Sequence, residues 1–402
     1  MGIHKVWVTL PDGEAHHAGD LAFGQMSADG RCPSAFRYTA DWLRRGFPLD
    51  PESLPLQSGE FHASHLAPPL AVFADALPDA WGQHIIDLTR GIPLQQRCPE
   101  RYLTEIGGHT LGALGFNHPT QGIKQVPALS LEALVQAALD VDAGRATPAE
   151  LGRLFTHGAS AGGARPKVLI AHDGVHWILK LASPHQDRGY DVPLLEYVSM
   201  QIARECLPAT PGSRLMTIAG RNAVLIRRFD LTDHGRNHQI SFAALAAERV
   251  ANYAGSYDDL ARILARHSMR PRDDLTLLFT QAVLNAAIGN TDDHLKNFMM
   301  QRVEGGYRLA PAFDIVPNIG RNIEHVIAFG NSRLAPGRAT LLEMGKRWLG
   351  KADGLDGILE NVVSRVANFG SRLDALNGDL PAHAALLDEM NLRCQQMLRC
   401  PR

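Results

Sequence analysis

Apolar and polar positions along the chain change period several times, and those changes mark out its elements. Near the N-terminus KVWVTL reads as a strand with PDG as the turn after it, and AFRYTADWL alternates like a second strand. An irregular, Pro-rich stretch from Pro48 to Pro69 leads into FADALPDAWGQHIIDLTR, mostly helical with Pro78 near its start. Residues 116–150 read as a connection carrying one amphipathic helix, LEALVQAALDVD. From about 151 the pattern changes. PKVLIAHDGVHWILKLAS is a hairpin around His172-Asp173-Gly174, where Asp-Gly is a strong short-range hairpin signal. The amphipathic helix VPLLEYVSMQIAREC follows, then a second hairpin, RLMTIAGRNAVLIRRF, turning at Ala219-Gly220-Arg221-Asn222. Beyond about 240 the helical period dominates in FAALAAERVANY, YDDLARILARH and DLTLLFTQAVLNAAI. One hairpin interrupts it, FMMQRVEGGYRLAP, turning at Gly305-Gly306, and the tail from Leu341 reads as further helices separated by glycines.

Hairpin, helix, hairpin, then helices with one inserted hairpin is the order of a protein-kinase-like fold. The expected class is α+β and two-lobed, with an N-terminal β-rich subdomain and a mostly helical C-terminal lobe. Three domains are expected: 1–115, 116–235 and 236–402. A chain of 402 residues is long enough for two or three cores. Net charge is -2, from 40 basic and 42 acidic residues, so no global field draws the chain to nucleic acid or anionic lipid. Five scattered cysteines without a CxxC argue against a disulfide framework or thiolate zinc site. MGIHKVWVTLPDGEAHH has no apolar signal-peptide core, and no run approaches 18 apolar residues, so a cytoplasmic protein without membrane contact is expected.

Phosphoryl transfer from ATP requires a cation on the phosphates, oxygen ligands for Mg²⁺, a group that orients the hydroxyl nucleophile, and a loop over the nucleotide. GNTDDHLKNF, residues 289–298, carries Asp292 five positions before Asn297, the spacing of a kinase catalytic loop. Asp314 in PAFDIVPN follows the next hairpin, as a second metal ligand should, and carboxylate and amide oxygens suit Mg²⁺. Lys180 ends a strand just ahead of a helix, and Glu196 on that helix is its candidate partner. Neither G-x-G-x-x-G nor G-x-x-x-x-G-K-[ST] precedes Lys180. Instead His157-Gly158-Ala159-Ser160-Ala161-Gly162-Gly163-Ala164-Arg165-Pro166-Lys167 offers glycines for close backbone approach to phosphate, with Arg165 and Lys167 adding charge. Singly, each feature has a bland explanation: an edge lysine, a solvated glutamate, a chance D-x4-N, a turn-forming aspartate, a flexible linker. Together, in this order, they favour function. Asp293 fits no template and is expected to be a solvent-facing neighbour of Asp292.

SAGGARPK, ILKL around Lys180, RRFD, GNTDDHLKNF and LAPAFDIVPN together resemble the HipA family of serine/threonine kinase toxins, as do FRYTADWL, ALPDAWGQ and LGALGF in the N-terminal part. The resemblance implies Asp292 as catalytic base, Asn297 and Asp314 as Mg²⁺ ligands, and Lys180 on the ATP phosphates. It further implies a nucleotide site drawing on Ser160, Gly162, Gly163, Ala164 and Lys167, a hinge of Arg227, Arg228 and Phe229 beside adenine, Asp230 near the ribose, and His294. Ser160 is the implied autophosphorylation site, where a dianion would repel phosphates from the loop. Two positions depart from the family pattern: Leu195 where Asn is usual, and Arg227 where an acidic residue is common.

By the same resemblance, the expected partners are a HipB-type helix-turn-helix antitoxin, operator DNA through the antitoxin complex only, and a protein substrate such as an aminoacyl-tRNA synthetase. Two alternatives stay open: a catalytically idle antitoxin-binding subunit, and a kinase acting on a small molecule or lipid. Arg262, Arg266, Arg270 and Arg272 form the most basic stretch, but Asp258, Asp259, Asp273 and Asp274 balance it as an ordinary solvated helix face.

Overall fold

The computed structural model describes residues 2–25, 33–63, 70–121, 128–158, 163–187, 189–246, 255–320, 322–350, 354–378 and 380–399. Ser160 and Gly162 lie outside them. The chain divides into two compact units that interleave along the sequence: residues 1–183, 218–221 and 227–249 form one, and 184–217, 222–226 and 250–402 the other.

The first unit begins with five antiparallel strands, β1 (Ile3–Thr9), β2 (Ala15–Phe23), β3 (Ser34–Tyr38), β4 (Phe61–His62) and β5 (Leu114–Phe116), in the sheet order β4-β3-β2-β1-β5. Val6, Val8, Leu21, Phe23, Phe36 and Phe116 are buried from this sheet, and Phe73 fits between Phe36 and Phe116 at ring separations of 5.0 and 6.2 Å. Gly19 lies against the Phe36 ring, where a Cβ would collide with it. The strand expected over AFRYTADWL stops at Tyr38. Thr39 accepts from the Trp42 N–H at 3.1 Å and caps a helix, Ala40–Arg45, that carries the Trp42 ring into the core. β2 escaped notice because two histidines, an aspartate and a glycine obscure its alternation, and the β1–β2 register shifts between Val6 and Trp7.

Helices Ala80–Arg90, Pro99–Ile106, Ala128–Asp142 and Pro148–Gly158 follow, the last unexpected and directly ahead of the Gly-rich stretch. The hairpin at Asp173-Gly174 is present: β6 (Lys167–His172) pairs with β7 (Val175–Leu181), and both turn residues take positive φ, 51° and 72°.

The second unit contains helix Val192–Cys206, the helices Tyr257–His267 and Pro271–Ile288, the hairpin Met299–Val303 with Gly306–Leu309, and a tail of four helices from Arg338 to Leu398. Of FAALAAERVANY only Phe242–Leu245, in the first unit, is described as helix, and residues 247–254 lie outside the described residues. Helix Pro271–Ile288 is buried along nearly its whole last three turns and ends at Gly289, whose φ of 72° is the left-handed conformation that stops helices. No helix among the described residues is long and apolar enough to cross a membrane.

Candidate active site

In the first unit the Gly-rich stretch is fastened from the N-terminal part. Gly163 N–H donates to Asp79 Oδ2 at 2.8 Å, Trp81 N–H to Gly163 C=O at 3.2 Å, and Trp81 Nε1–H to Lys167 C=O at 2.9 Å. Asp79 thus spends its side chain on the loop and gives no side-chain cap to its own helix, Ala80–Arg90. Gly163 has φ +97°, and a Cβ there would collide with the Lys167 ammonium, so only glycine allows this approach. Lys167 is buried and stands directly opposite Lys180 in the β6–β7 register. Ala164 is exposed, beside them in sequence.

The hinge segment divides by exposure: Arg227 faces solvent while Arg228 and Asp230 are buried. Arg228 N–H donates to His176 C=O at 2.9 Å. Its guanidinium reaches Asp230 through Nε to Oδ1 at 3.0 Å and Nη2 to Oδ2 at 2.5 Å, and Gly112 N–H donates to Oδ2 at 2.8 Å. Arg236 threads beneath, with Nη1 donating to the carbonyls of Thr110 at 2.7 Å and Gly112 at 3.0 Å. Burial pushes the Asp230 carboxyl up, but the Arg228 and Arg236 charges and the hydrogen bonds outweigh it and set the pKa at about 2. Burial, and then the Arg228 charge, bring Arg236 down to about 10. These bonds tie the RRFD segment to LGALGF.

In the second unit the catalytic-loop residues come together by three backbone devices. Asn297 Nδ2–H donates to Asp292 C=O at 3.3 Å and Asn297 N–H to His294 C=O at 2.9 Å, closing a tight turn that ends in the 3₁₀ segment Leu295–Asn297. Asn297 itself is buried. The hairpin then returns the chain: Ala310 N–H donates to Met299 C=O at 2.8 Å. Beyond Asp314 the chain is bound to the loop again, Asn318 N–H to Gly289 C=O and Val326 N–H to Thr291 C=O, both at 3.0 Å. Asp314, four residues past Ala310 and four before Asn318, is held beside the loop from both sides. Its φ of 55° is a left-handed conformation unusual for a residue with a Cβ. Glu196 is buried on helix Val192–Cys206 of this unit, and Lys180 belongs to the other.

The expectation for Asp293 is corrected. Asp292 is exposed, whereas Asp293 is 0% exposed. Tyr257 O–H donates to Asp293 Oδ2 at 2.6 Å, and His325 Nδ1 lies 3.3 Å from Oδ1. Asn285 Nδ2–H donates to the Tyr257 oxygen at 3.0 Å, and Asn290 Nδ2–H to Asn285 Oδ1 at 3.2 Å. Burial, followed by the neighbouring carboxylate, holds the Tyr257 pKa well above its ordinary value, so it remains a donor. Nothing in the spacing of GNTDDHLKNF signals which of the pair goes inward, and Tyr257 and His325 carry no sequence signal at all.

The arginine-rich stretch behaves as a solvated face. Arg262, Arg266, Arg270 and Arg272 are exposed, and Arg262 pairs with Asp259 on its own helix. Asp258 is taken by Arg347 and Trp348, and Asp274 by Arg308.

The family model for the HipA-like C-terminal domain matches residues 159–369, and that for the HipA N-terminal domain matches residues 16–117. The structure is similar to HipA in the Shewanella oneidensis MR-1 complex of HipA, HipB and operator DNA, with a TM-score of 0.70 over 98% of this chain and 97% of that one at 18% identity. A weaker likeness, TM-score 0.43 at 15% identity, covers 59% of this chain and 90% of the Helicobacter pylori proinflammatory kinase CtkA. Y4mE of Sinorhizobium fredii (strain NBRC 101917 / NGR234), a protein named provisionally as a kinase, is 30% identical over 110 residues. That alignment spans 25% of this chain and only 26% of Y4mE. The two family matches cover most of the length, the strand and helix order is that of a protein-kinase-like fold, and the chain belongs to the HipA family.

Proposed function

We propose that this protein is an ATP- and Mg²⁺-dependent serine/threonine protein kinase, the toxin of a HipBA-like module. The observation that carries the reading is the catalytic loop: an exposed Asp292 sits in a turn closed by Asn297 and bound through its backbone to the segments flanking Asp314. Asp292 accepts the proton of a substrate hydroxyl as its oxygen bonds to the γ-phosphorus and the bond to the ADP oxygen breaks. Asn297 Oδ1 and the Asp314 carboxylate would hold Mg²⁺, which when bound neutralises charge on the phosphates. The opposed Lys167 and Lys180 supply positive charge for an anionic nucleotide. The backbone N–H groups of the Gly-rich stretch, anchored by Asp79 and Trp81, supply close donors.

A HipB-type antitoxin is the partner we assign, since the similar Shewanella HipA is seen with HipB and operator DNA. Operator DNA would be met through that complex only, and the substrate we favour is a protein serine, of an aminoacyl-tRNA synthetase for example. Ser160 in the Gly-rich stretch is the proposed site of self-phosphorylation. The test is incubation with Mg-ATP followed by phosphopeptide mass spectrometry. Wild type should gain phosphate at Ser160 and on a protein in lysate. Asp292→Asn should lose about 10²- to 10⁴-fold in rate while melting at the wild-type temperature. Normal labelling by Asp292→Asn would remove Asp292 from the mechanism.

A further inference from the structure

We infer that Asp293 is a positioning residue: its buried carboxylate, hydrogen-bonded by Tyr257 and facing His325, fixes the catalytic loop so that the neighbouring Asp292 stays on the exposed side. This rests on the kinase reading of Asp292 and deepens it. A carboxylate wholly removed from water is costly unless paired and hydrogen-bonded, and an apolar residue of similar size would fill the space with no such cost. What the carboxylate adds is direction. Tyr257 at the start of helix Tyr257–His267 donates to Oδ2, and His325, from the segment after Asp314, faces Oδ1.

Tyr257 is itself held by Asn285 in the last turn of helix Pro271–Ile288, and Asn285 by Asn290 in the loop. One side chain is thereby referred to the helix that ends at the loop, the helix before it, and the segment that follows the second proposed metal ligand. The rings around it leave little room for rearrangement. Tyr257 meets Phe298 edge-on at 5.7 Å and Phe329 at 4.7 Å, and His325 meets Phe329 edge-on at 5.0 Å. A single peptide unit separates this anchor from the proposed base. If Asp293 left its pocket, the Asp292 carboxylate would shift with the shared backbone, and misplacement by about 1 Å costs a reaction of this kind on the order of 10²-fold.

The test compares wild type with Asp293→Asn, Tyr257→Phe and the double variant, using the full chain. Asp293→Asn should lower kcat about 10- to 100-fold with KM for ATP within about twofold, because the substituted side chain is itself assigned no nucleotide contact. Tyr257→Phe should lose less, and the double variant should be no worse than Asp293→Asn, since both break one network. Amide hydrogen exchange over residues 289–298 gives a readout independent of activity, and it should accelerate in Asp293→Asn while peptides of the Ala128–Asp142 helix keep wild-type rates. A kcat within twofold of wild type, a KM rise matching the kcat loss, or unchanged loop exchange would overturn the assignment. If Asp293→Asn does not fold, Tyr257→Phe carries the same comparison. If Asp292→Asn keeps full activity, or wild type transfers no phosphate, while the loop loosens in Asp293→Asn, then the kinase reading fails and the anchor stands.

Discussion

Replacing Asp230 by Asn tests a buried clamp against a ribose contact. By family resemblance the carboxylate lies near the ribose, while in the structure it holds Arg228 and Gly112 inside the first unit. A carboxyl whose pKa moves from 3.8 to about 2 is favoured in its ionised form by the fold. At about 1.36 kcal/mol per pKa unit that preference amounts to roughly 2.5 kcal/mol. The variant also leaves Arg228 and Arg236 buried without a counter-charge, which raises the expected loss to about 3–5 kcal/mol. The pH dependence follows from the sign. Because the folded pKa is depressed, the contribution is complete above about pH 4 and disappears as pH falls toward 2. Urea unfolding of wild type and Asp230→Asn should differ by that amount at pH 7, with the gap closing between pH 4 and 2. ATP affinity of the folded variant should be unchanged. A variant as stable as wild type but with a raised KM for ATP would refute the buried-clamp reasoning and restore the ribose contact.

Two further substitutions probe the scaffold. Gly163→Ala imposes a side chain at φ +97° against the Lys167 ammonium, and should raise KM for ATP about tenfold, the equivalent of about 1.4 kcal/mol, as measured by nucleotide titration. Asp274 is 0% exposed and accepts from Arg308 Nη2 at 2.7 Å, Ser268 O–H at 2.5 Å and Leu309 N–H at 2.9 Å, fastening the hairpin Met299–Leu309 to its neighbouring helix. Asp274→Asn should therefore cost about 2–3 kcal/mol, read as a Tm lower by roughly 4–10 °C, and an unchanged melting curve would show the clamp to be idle.

The hairpins were legible because their turns need particular residues: Asp173 and Gly174 both take positive φ, as an Asp-Gly turn does. The helix before the catalytic loop was legible from its apolar period and from Gly289. Asp292, Asn297 and Asp314 stand out as a spacing, and the structure adds backbone bonds from the segments flanking Asp314 to Met299, Gly289 and Thr291. The face each residue takes was hidden. Two adjacent aspartates are equivalent in one dimension, and only Tyr257 and His325, distant in sequence, select Asp293 for the interior. Asp79 was hidden for the same reason. It stands where a helix cap would, yet its partner is Gly163, 84 positions away.

The interleaving of the two units bears on how the protein is made. Unit 1 lacks its last segment, 227–249, until the ribosome has passed all of 184–226. That segment supplies Asp230 and Arg236 to Gly112, His238 to the Leu49 carbonyl, and Ser241 to Asp75. At bacterial-scale elongation of about 5–20 residues per second the wait is roughly 2–9 s. Throughout it, Thr110, Gly112 and His176 are without the Arg228, Asp230 and Arg236 groups that they bond in the finished unit. A transcript cut short before codon 230 yields a first unit without Asp230, Arg236, His238 and Ser241 and so without these bonds.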